Sequence, residues 1–445
     1  MIMNRPLRAA VMLLVLLATA AAGCAGTTVQ PAAAANAGPV TRAPESAGMS
    51  SARLERVDAA LQKRVDQGEL AGAEVTIARH DAVIHHTVMG VADLDTGRPV
   101  GRETLWRIYS MSKPITSVAA MMLYEEGAFL LDDPIAEYLP EYAQMTVLVE
   151  GERVPAKNPI TIRQLLTHTA GFGYGFTDRG VDALYRQDHP LNRQDLAEFS
   201  QALATFPLAF EPGTDWNYGM STDVLGRLVE VLSGMPLDQF MQQRIFDPLG
   251  MRDTFFKVPE DKLDRFASNQ RMNPESGRLE VVPTPDSGIR WQQTTLFSGG
   301  GGLVSTAADY MRFSRMLARG GELDGVHLLS PKTVAFMRRN QVPAEVLGED
   351  GVSGSGASIG FGLGFGVLRD AVGLDGRGAH AVASDGEYFW GGAAGTLFWI
   401  DPVEDLIAIV MIQRMDAPRD LRDRMRALIN AAIRVPAQHP PRTGP

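Results

Sequence analysis

The sequence predicts an α+β fold in which one antiparallel sheet, flanked by helices, is built from both ends of the chain around a helical insert. Three observations predict it. A helix and two β-branched runs follow residue 46, the stretch from Asp132 to about Ile289 carries helical spacing joined by long connections, and strand-like runs return from Phe361 ahead of a last helix. With 445 residues, 45% of them hydrophobic, the chain is long enough for one large domain with a lodged subdomain. The sheet part takes about 46–109 and 290–435, the helical part about 110–289, and 436–445 form a tail.

At the N-terminus, Arg5 and Arg8 precede the apolar run Ala9 to Ala22, too short to span a bilayer comfortably, which predicts an export signal over 1–23. Its end, Ala21-Ala22-Gly23-Cys24, resembles a bacterial lipoprotein processing site with Cys24 as the lipidated residue; Ala21 stands where leucine is usual. Anchoring at Cys24, facing the periplasm, and plain cleavage with release both stay open. Cys24 is the only cysteine, so no internal disulfide is expected. Residues 24–45, rich in Ala, Thr and Pro, read as a flexible linker. The net charge of -10 and the lack of a basic stripe argue against nucleic acid, and leave a lipid anchor as the one membrane contact expected.

Ser51 to Gln67 carries Leu54, Val57, Leu61 and Val65 at helical spacing and closes at Gly68. Ala73 to Arg79 and Ala82 to Val91 then read as a hairpin turning at His80-Asp81. The insert's helices are expected over Thr161 to Thr167, Asp195 to Ala204 and Val224 to Ser233. Beyond it come a helix over Ala307 to Arg319 and strands over Phe361 to Arg369, Thr396 to Ile400 and Leu406 to Gln413. A final helix over Pro418 to Arg434 has Asp416 as its expected cap and Pro436 beyond its end.

The chemistry centres on Tyr109-Ser110-Met111-Ser112-Lys113-Pro114. Ile115, Val118, Ala119, Met122 and Leu123 form a helical stripe that stops at Gly127, and Pro114 fits only a first turn, so Ser110 is expected at the helix entrance. Free N–H groups and the helix dipole there favour the anionic oxygen that a serine nucleophile becomes. Lys113 lies one turn on, on the same face. Only six of the 42 basic residues are lysine, and only lysine can lose a proton to act as a general base, so its place here is informative. The plain alternative is a helix start with a solvated lysine.

Two further segments carry polar or backbone groups. Pro212 to Ser221 forms a turn presenting Tyr218, whose phenol could relay a proton between nucleophile, Lys113 and leaving group, or simply pack under a loop. Trp390-Gly391-Gly392-Ala393-Ala394-Gly395-Thr396 leads small residues into a strand, as an oxyanion hole built from backbone N–H groups requires, or as any glycine bend does.

Together these segments resemble the penicillin-recognising serine hydrolases: class C β-lactamases, D-alanyl-D-alanine carboxypeptidases and, most closely, family VIII carboxylesterases. The likeness spans about Glu45 to Val435 and takes in Leu165 to Gly171, Asp223 to Gly226 and Ser298 to Leu303. It implies a β-lactamase/transpeptidase-like α/β sandwich. Ser110 is similar to the acylated nucleophile, Lys113 to its base, Tyr218 to the tyrosine of the Tyr-x-Asn element, and the Ser110 and Ala393 amides to the oxyanion donors, with no metal or cofactor. Two departures bear on substrate. Tyr218-Gly219-Met220 lacks the asparagine amide, and Trp390-Gly391-Gly392 replaces Lys-Thr-Gly, so a neutral aromatic stands where a cation would contact a substrate carboxylate. Losing that charge-assisted contact, worth about 1.5 to 3 kcal/mol, favours neutral esters over penicillins and peptide C-termini.

Three other features are set aside. Ser358 in Gly356-Ala357-Ser358-Ile359-Gly360 lacks the strand-to-helix context of a nucleophile elbow. His168 reads as a structural hydrogen-bonding residue, and His85 and His86 face opposite sides of a strand, which suits no metal. The leading expectation is an exported serine esterase acting on small, short-acyl esters. A β-lactamase or carboxypeptidase of the same fold is the alternative, and a non-catalytic penicillin-binding sensor or scaffold the alternative from another class.

Overall fold

Among the described residues, seven strands make one antiparallel sheet: β1 (Gly72–Arg79), β2 (Ala82–Gly90), β3 (Ile359–Phe361), β4 (Gly366–Leu368), β5 (Tyr388–Gly391), β6 (Leu397–Asp401) and β7 (Leu406–Met411). Their order is β3-β4-β5-β6-β7-β1-β2, so the first hairpin docks on the last strand, with Val75 opposite Val410 and Ile77 opposite Ala408. The computed structural model describes residues 41–282, 291–348, 352, 358–369, 382–418 and 420–437; Cys24, the leader and most of the linker lie outside them.

Period-two patterning assigns the two faces of the sheet. Leu406, Ala408 and Val410 of β7, with Val75 and Ile77 of β1, pack under α1 (Ser51–Asp66) and a C-terminal helix, Leu421–Ala431. Ile407, Ile409 and Met411 face the other way, into a large core shared with α2 (Ser112–Glu125) and the helical region. Within that region lie α3 (Ile162–Thr167), α4 (Gly180–Gln187), α5 (Leu196–Ala204) and α6 (Ser221–Ser233); α7 (Ala307–Ala318) returns the chain to the sheet, and Leu421–Ala431 is α8. The β1–β2 turn falls at His80-Asp81 as expected. Both residues have left-handed φ, 49° and 62°, the geometry a two-residue hairpin turn demands.

The structure corrects four expectations. Phe361 to Arg369 is not one strand: glycines at 362 and 364 break it, and Phe361 turns back to pair with Gly366. The insert is not all helical, because Thr146–Val149 pairs with Glu152–Pro155 and Gln270–Met272 with Leu279–Val281. Tyr388–Gly391 is a full strand, paired with β6, rather than a mere lead-in. Asp416 does not cap the last helix. It is paired with Arg414 at 3.0 Å and accepts from the Met272 N–H, and Asp420 occupies the N-cap position instead.

Candidate active site

Tyr109–Met111 forms a single 3-10 turn that runs directly into α2, which places Ser110 at the helix entrance. Tyr109 has φ of 43°, a left-handed conformation costing a non-glycine residue roughly 1–3 kcal/mol. Its surroundings hold it there: the ring meets Trp291 edge-on at 5.3 Å and its hydroxyl accepts from Asn269 Nδ2 at 3.0 Å. The glycine-rich loop after Ser298 is tied to the first turns of α2. The Leu303 N–H donates to Ser112 Oγ at 3.1 Å, and Thr116 Oγ1 donates to Gly299 O at 2.7 Å.

Lys113 is buried, 1% exposed, so its amine depends on protein acceptors. Its Nζ donates to Gly300 O at 2.7 Å, to Tyr174 Oη at 3.0 Å and to Ser110 Oγ at 3.4 Å, and it lies 4.5 Å from the centre of the Tyr218 ring. Tyr174 Oη donates onward to Asp223 Oδ2 at 3.3 Å, while Asp223 Oδ1 accepts from the Ser298 hydroxyl and from the Gly300 N–H at 3.0 Å. Burial pushes the Asp223 carboxyl above its ordinary range against the pull of Lys113 and these donors. Burial, then the charge on Asp223, pushes the Tyr174 phenol well up, so it stays protonated. Gly300 must be glycine here, because a Cβ would come within 2.5 Å of Asp223 Oδ2 and 2.6 Å of Tyr174 Oη.

Tyr218 Oη donates to Ser110 Oγ at 2.6 Å, and Trp390 Nε1 donates to Tyr218 Oη at 3.3 Å. The tyrosine loop is fixed to the turn after α3. The Asn217 N–H donates to His168 O at 3.0 Å, Asn217 Nδ2 to Phe172 O at 2.9 Å, and the Gly219 N–H to His168 Nδ1 at 3.4 Å. Burial, then Lys113, holds the His168 imidazole well below its usual range, leaving the nitrogen free to accept. His168 therefore holds the loop, as its sequence context suggests.

The end of β5 approaches from the sheet side. The Trp390 ring meets Phe361 edge-on at 5.1 Å and Tyr218 at 5.5 Å. Gly391 lies over Arg422, whose Nη2 is 2.8 Å from where a Cβ would stand, and a Cβ on Gly392 would lie 2.5 Å from Ile108 O. The strand thus abuts the segment carrying Ser110 by virtue of having no side chain there. Ala393 is exposed at the tip of the turn closed by Gly395 N–H to Gly392 O at 3.0 Å, and its own N–H makes no hydrogen bond among the described residues.

The other two features set aside take no part in these contacts. Ser358 is buried before β3 and leads into a strand; Gly356 and Ala357 lie outside the described residues. His85 pairs with Asp58 at 2.8 Å and His86 with Glu74 at 3.0 Å, and among the described residues no group of three or more His, Cys, Asp or Glu side chains could hold a metal. Sequence reading missed Tyr174 and gave Asp223 no role. The signal for Tyr174 was an aromatic flanked by glycines just beyond Gly171.

A serine at a helix entrance within reach of a buried lysine and a tyrosine, beside an antiparallel sheet, defines a serine hydrolase. The chain belongs to the Beta-lactamase family, whose model matches residues 57–432. It is 32% identical over 377 residues to Esterase EstB of Burkholderia gladioli, covering 80% of this chain and 89% of that protein. Among solved structures it is similar to EstCE1, a hydrolase with promiscuous acyltransferase activity (TM-score 0.70, 29% identity, 86% of this chain and 98% of that one). It is also similar to the simvastatin synthase LovD of Aspergillus terreus (TM-score 0.73, 25% identity, 86% and 98%). Its affinity within the family is with esterases.

Proposed function

We propose that this chain is an exported carboxylesterase that cleaves small, short-acyl esters through an acyl-enzyme on Ser110. One observation carries the site: Tyr218 Oη and Lys113 Nζ converge on Ser110 Oγ at 2.6 and 3.4 Å. Lys113, as the free amine, takes the Oγ proton while Oγ attacks the ester carbonyl carbon. The carbonyl oxygen becomes an oxyanion held by the Ser110 and Ala393 N–H groups. On collapse, the C–O bond to the alcohol breaks and Tyr218 delivers a proton to the leaving oxygen, its own proton being replaced from Lys113. Water then enters by the reverse route, releases the acid and regenerates Ser110.

The substrate preference follows from Trp390, which donates to Tyr218 where a cation would have favoured an anionic substrate. Met220, fully buried, offers no amide to a β-lactam or peptide side chain. The test is turnover. Purified protein is expected to hydrolyse p-nitrophenyl butyrate far faster than a chromogenic cephalosporin, and Ser110→Ala to abolish ester turnover. A fluorophosphonate adduct mapped to any residue other than Ser110 would overturn the assignment. Export and anchoring rest on the leader and Cys24: Cys24→Ser is expected to move the protein from the membrane fraction to the soluble one, and an unchanged distribution rejects the anchor.

A further inference from the structure

Phe176 is 77% exposed, the most exposed large apolar side chain among the described residues. Its backbone is nevertheless firmly held. The fully buried Asp182 of α4 accepts from the Gly175 N–H at 2.8 Å, the Thr177 N–H at 2.9 Å and the Thr177 hydroxyl. Arg186 donates to Gly175 O at 2.7 Å and Thr177 O at 3.0 Å, and Arg179 ties the same loop to Asp215 ahead of Tyr218 at 2.8 Å. Both neighbours of Phe176 are therefore clamped while its ring stands in water.

The ring is not isolated. It stacks on Tyr174, centroids 5.2 Å apart and planes 22° apart, and Tyr174 in turn meets Tyr218 at 5.3 Å and accepts a hydrogen bond from Lys113 Nζ. A continuous aromatic face thus runs from the proton-transfer groups outward to solvent. Exposing a phenyl ring yields none of the burial that a core position would supply, so a clamped exposed ring is suited to a ligand that covers it.

We propose that the Tyr174–Phe176 pair binds the alcohol moiety of the ester, and that the enzyme prefers esters of aryl or other flat apolar alcohols. This rests on the acyl-enzyme reading given above. In it the carbonyl oxygen faces the Ser110 and Ala393 amides and the leaving oxygen faces Tyr218, so the group on that oxygen extends along Tyr174 to Phe176. An aryl group there finds the exposed Phe176 ring already braced on Tyr174, whereas a short alkyl group does not reach it.

The test holds the acyl group constant and varies the alcohol. With butyrate esters of ethanol, cyclohexanol and 2-naphthol followed by acid release, Phe176→Ala is expected to lower kcat/KM for the naphthyl ester about tenfold more than for the ethyl ester, mostly through KM. Phe176→Trp is expected to keep the aryl preference, and thermal melts of both variants check the fold. An equal loss for ethyl and naphthyl esters overturns the proposal, as does a loss that tracks acyl length from acetate to octanoate instead of the alcohol. If wild-type turnover proved independent of Ser110, the underlying reading would fail; if turnover needed Ser110 but ignored Phe176, only this inference would.

Discussion

Lys113 lies closer to Tyr174 than to the serine: its Nζ is 3.0 Å from Tyr174 Oη and 3.4 Å from Ser110 Oγ. The amine is held on one side by Tyr174 and Gly300 and presented to Ser110 on the other. Tyr174→Phe removes the hydroxyl that accepts from Lys113 Nζ and is expected to lower kcat/KM roughly ten- to a hundredfold. Steady-state kinetics on p-nitrophenyl butyrate check this, and a wild-type value would show the contact to be idle.

Lys113→Arg keeps a positive charge but cannot surrender a proton at any working pH. It is expected to lose at least about a hundredfold in kcat/KM, the usual worth of a general base. An active Lys113→Arg enzyme refutes the base role.

Tyr218→Phe keeps the ring packed against His168, Trp216, Tyr174 and Trp390 and removes only the hydroxyl. A folded protein with kcat/KM lowered by about 10² to 10⁴ is expected. Poorer leaving groups, which need the proton more, should suffer most, and a flat dependence on leaving-group basicity would contradict the relay.

Asp223→Ala leaves the Ser298 hydroxyl, the Gly300 N–H and the Tyr174 hydroxyl without their buried acceptor. At about 1–3 kcal/mol for each unmet group, urea denaturation should report a loss of several kcal/mol, and a much smaller one for Asp223→Asn. Equal losses for the two would point to packing instead.

Glu387, fully buried just before β5, is paired with Arg426 at 2.6 Å, yet burial pushes its carboxyl from 4.5 up to about 7. A raised carboxyl means that the folded state holds a proton which the unfolded state has released. Its contribution to stability therefore falls as pH rises from about 4.5 to about 7 and is level outside that window. Glu387→Gln cannot titrate, so its stability relative to wild type should improve across that interval. Urea midpoints at several pH values would show it; a constant difference would mean that Glu387 titrates alike in both states.

The position of Ser110 was legible because its signals are local: Pro114 and the stripe from Ile115 to Leu123 fix a helix start, and Ser110 stands in the turn that enters it. The turn that carries Tyr218 was legible for the same reason, lying just before α6. Tyr174 was not, because the Asp182 clamp on the next helix carries it to Lys113, and no periodicity encodes such a contact. The strain at Tyr109 was hidden likewise, being supplied by Trp291 and Asn269 far along the chain. The split at Phe361 was missed for a different reason. Glycines within an apolar run were read as strand when they marked a reversal, whereas β1 and β2, free of internal glycine, were read correctly.

The pairing of Val75 with Val410 has a consequence for biosynthesis. While the ribosome is still making residues before Leu406, the finished first hairpin keeps one flank of backbone donors and acceptors open to whatever strand arrives. Such a pairing is slow to form and leaves the nascent edge exposed, because the partner strand lies more than 300 residues further along the chain. Ser110 is made long before β7, so its supporting framework becomes whole only once the chain has passed Met411.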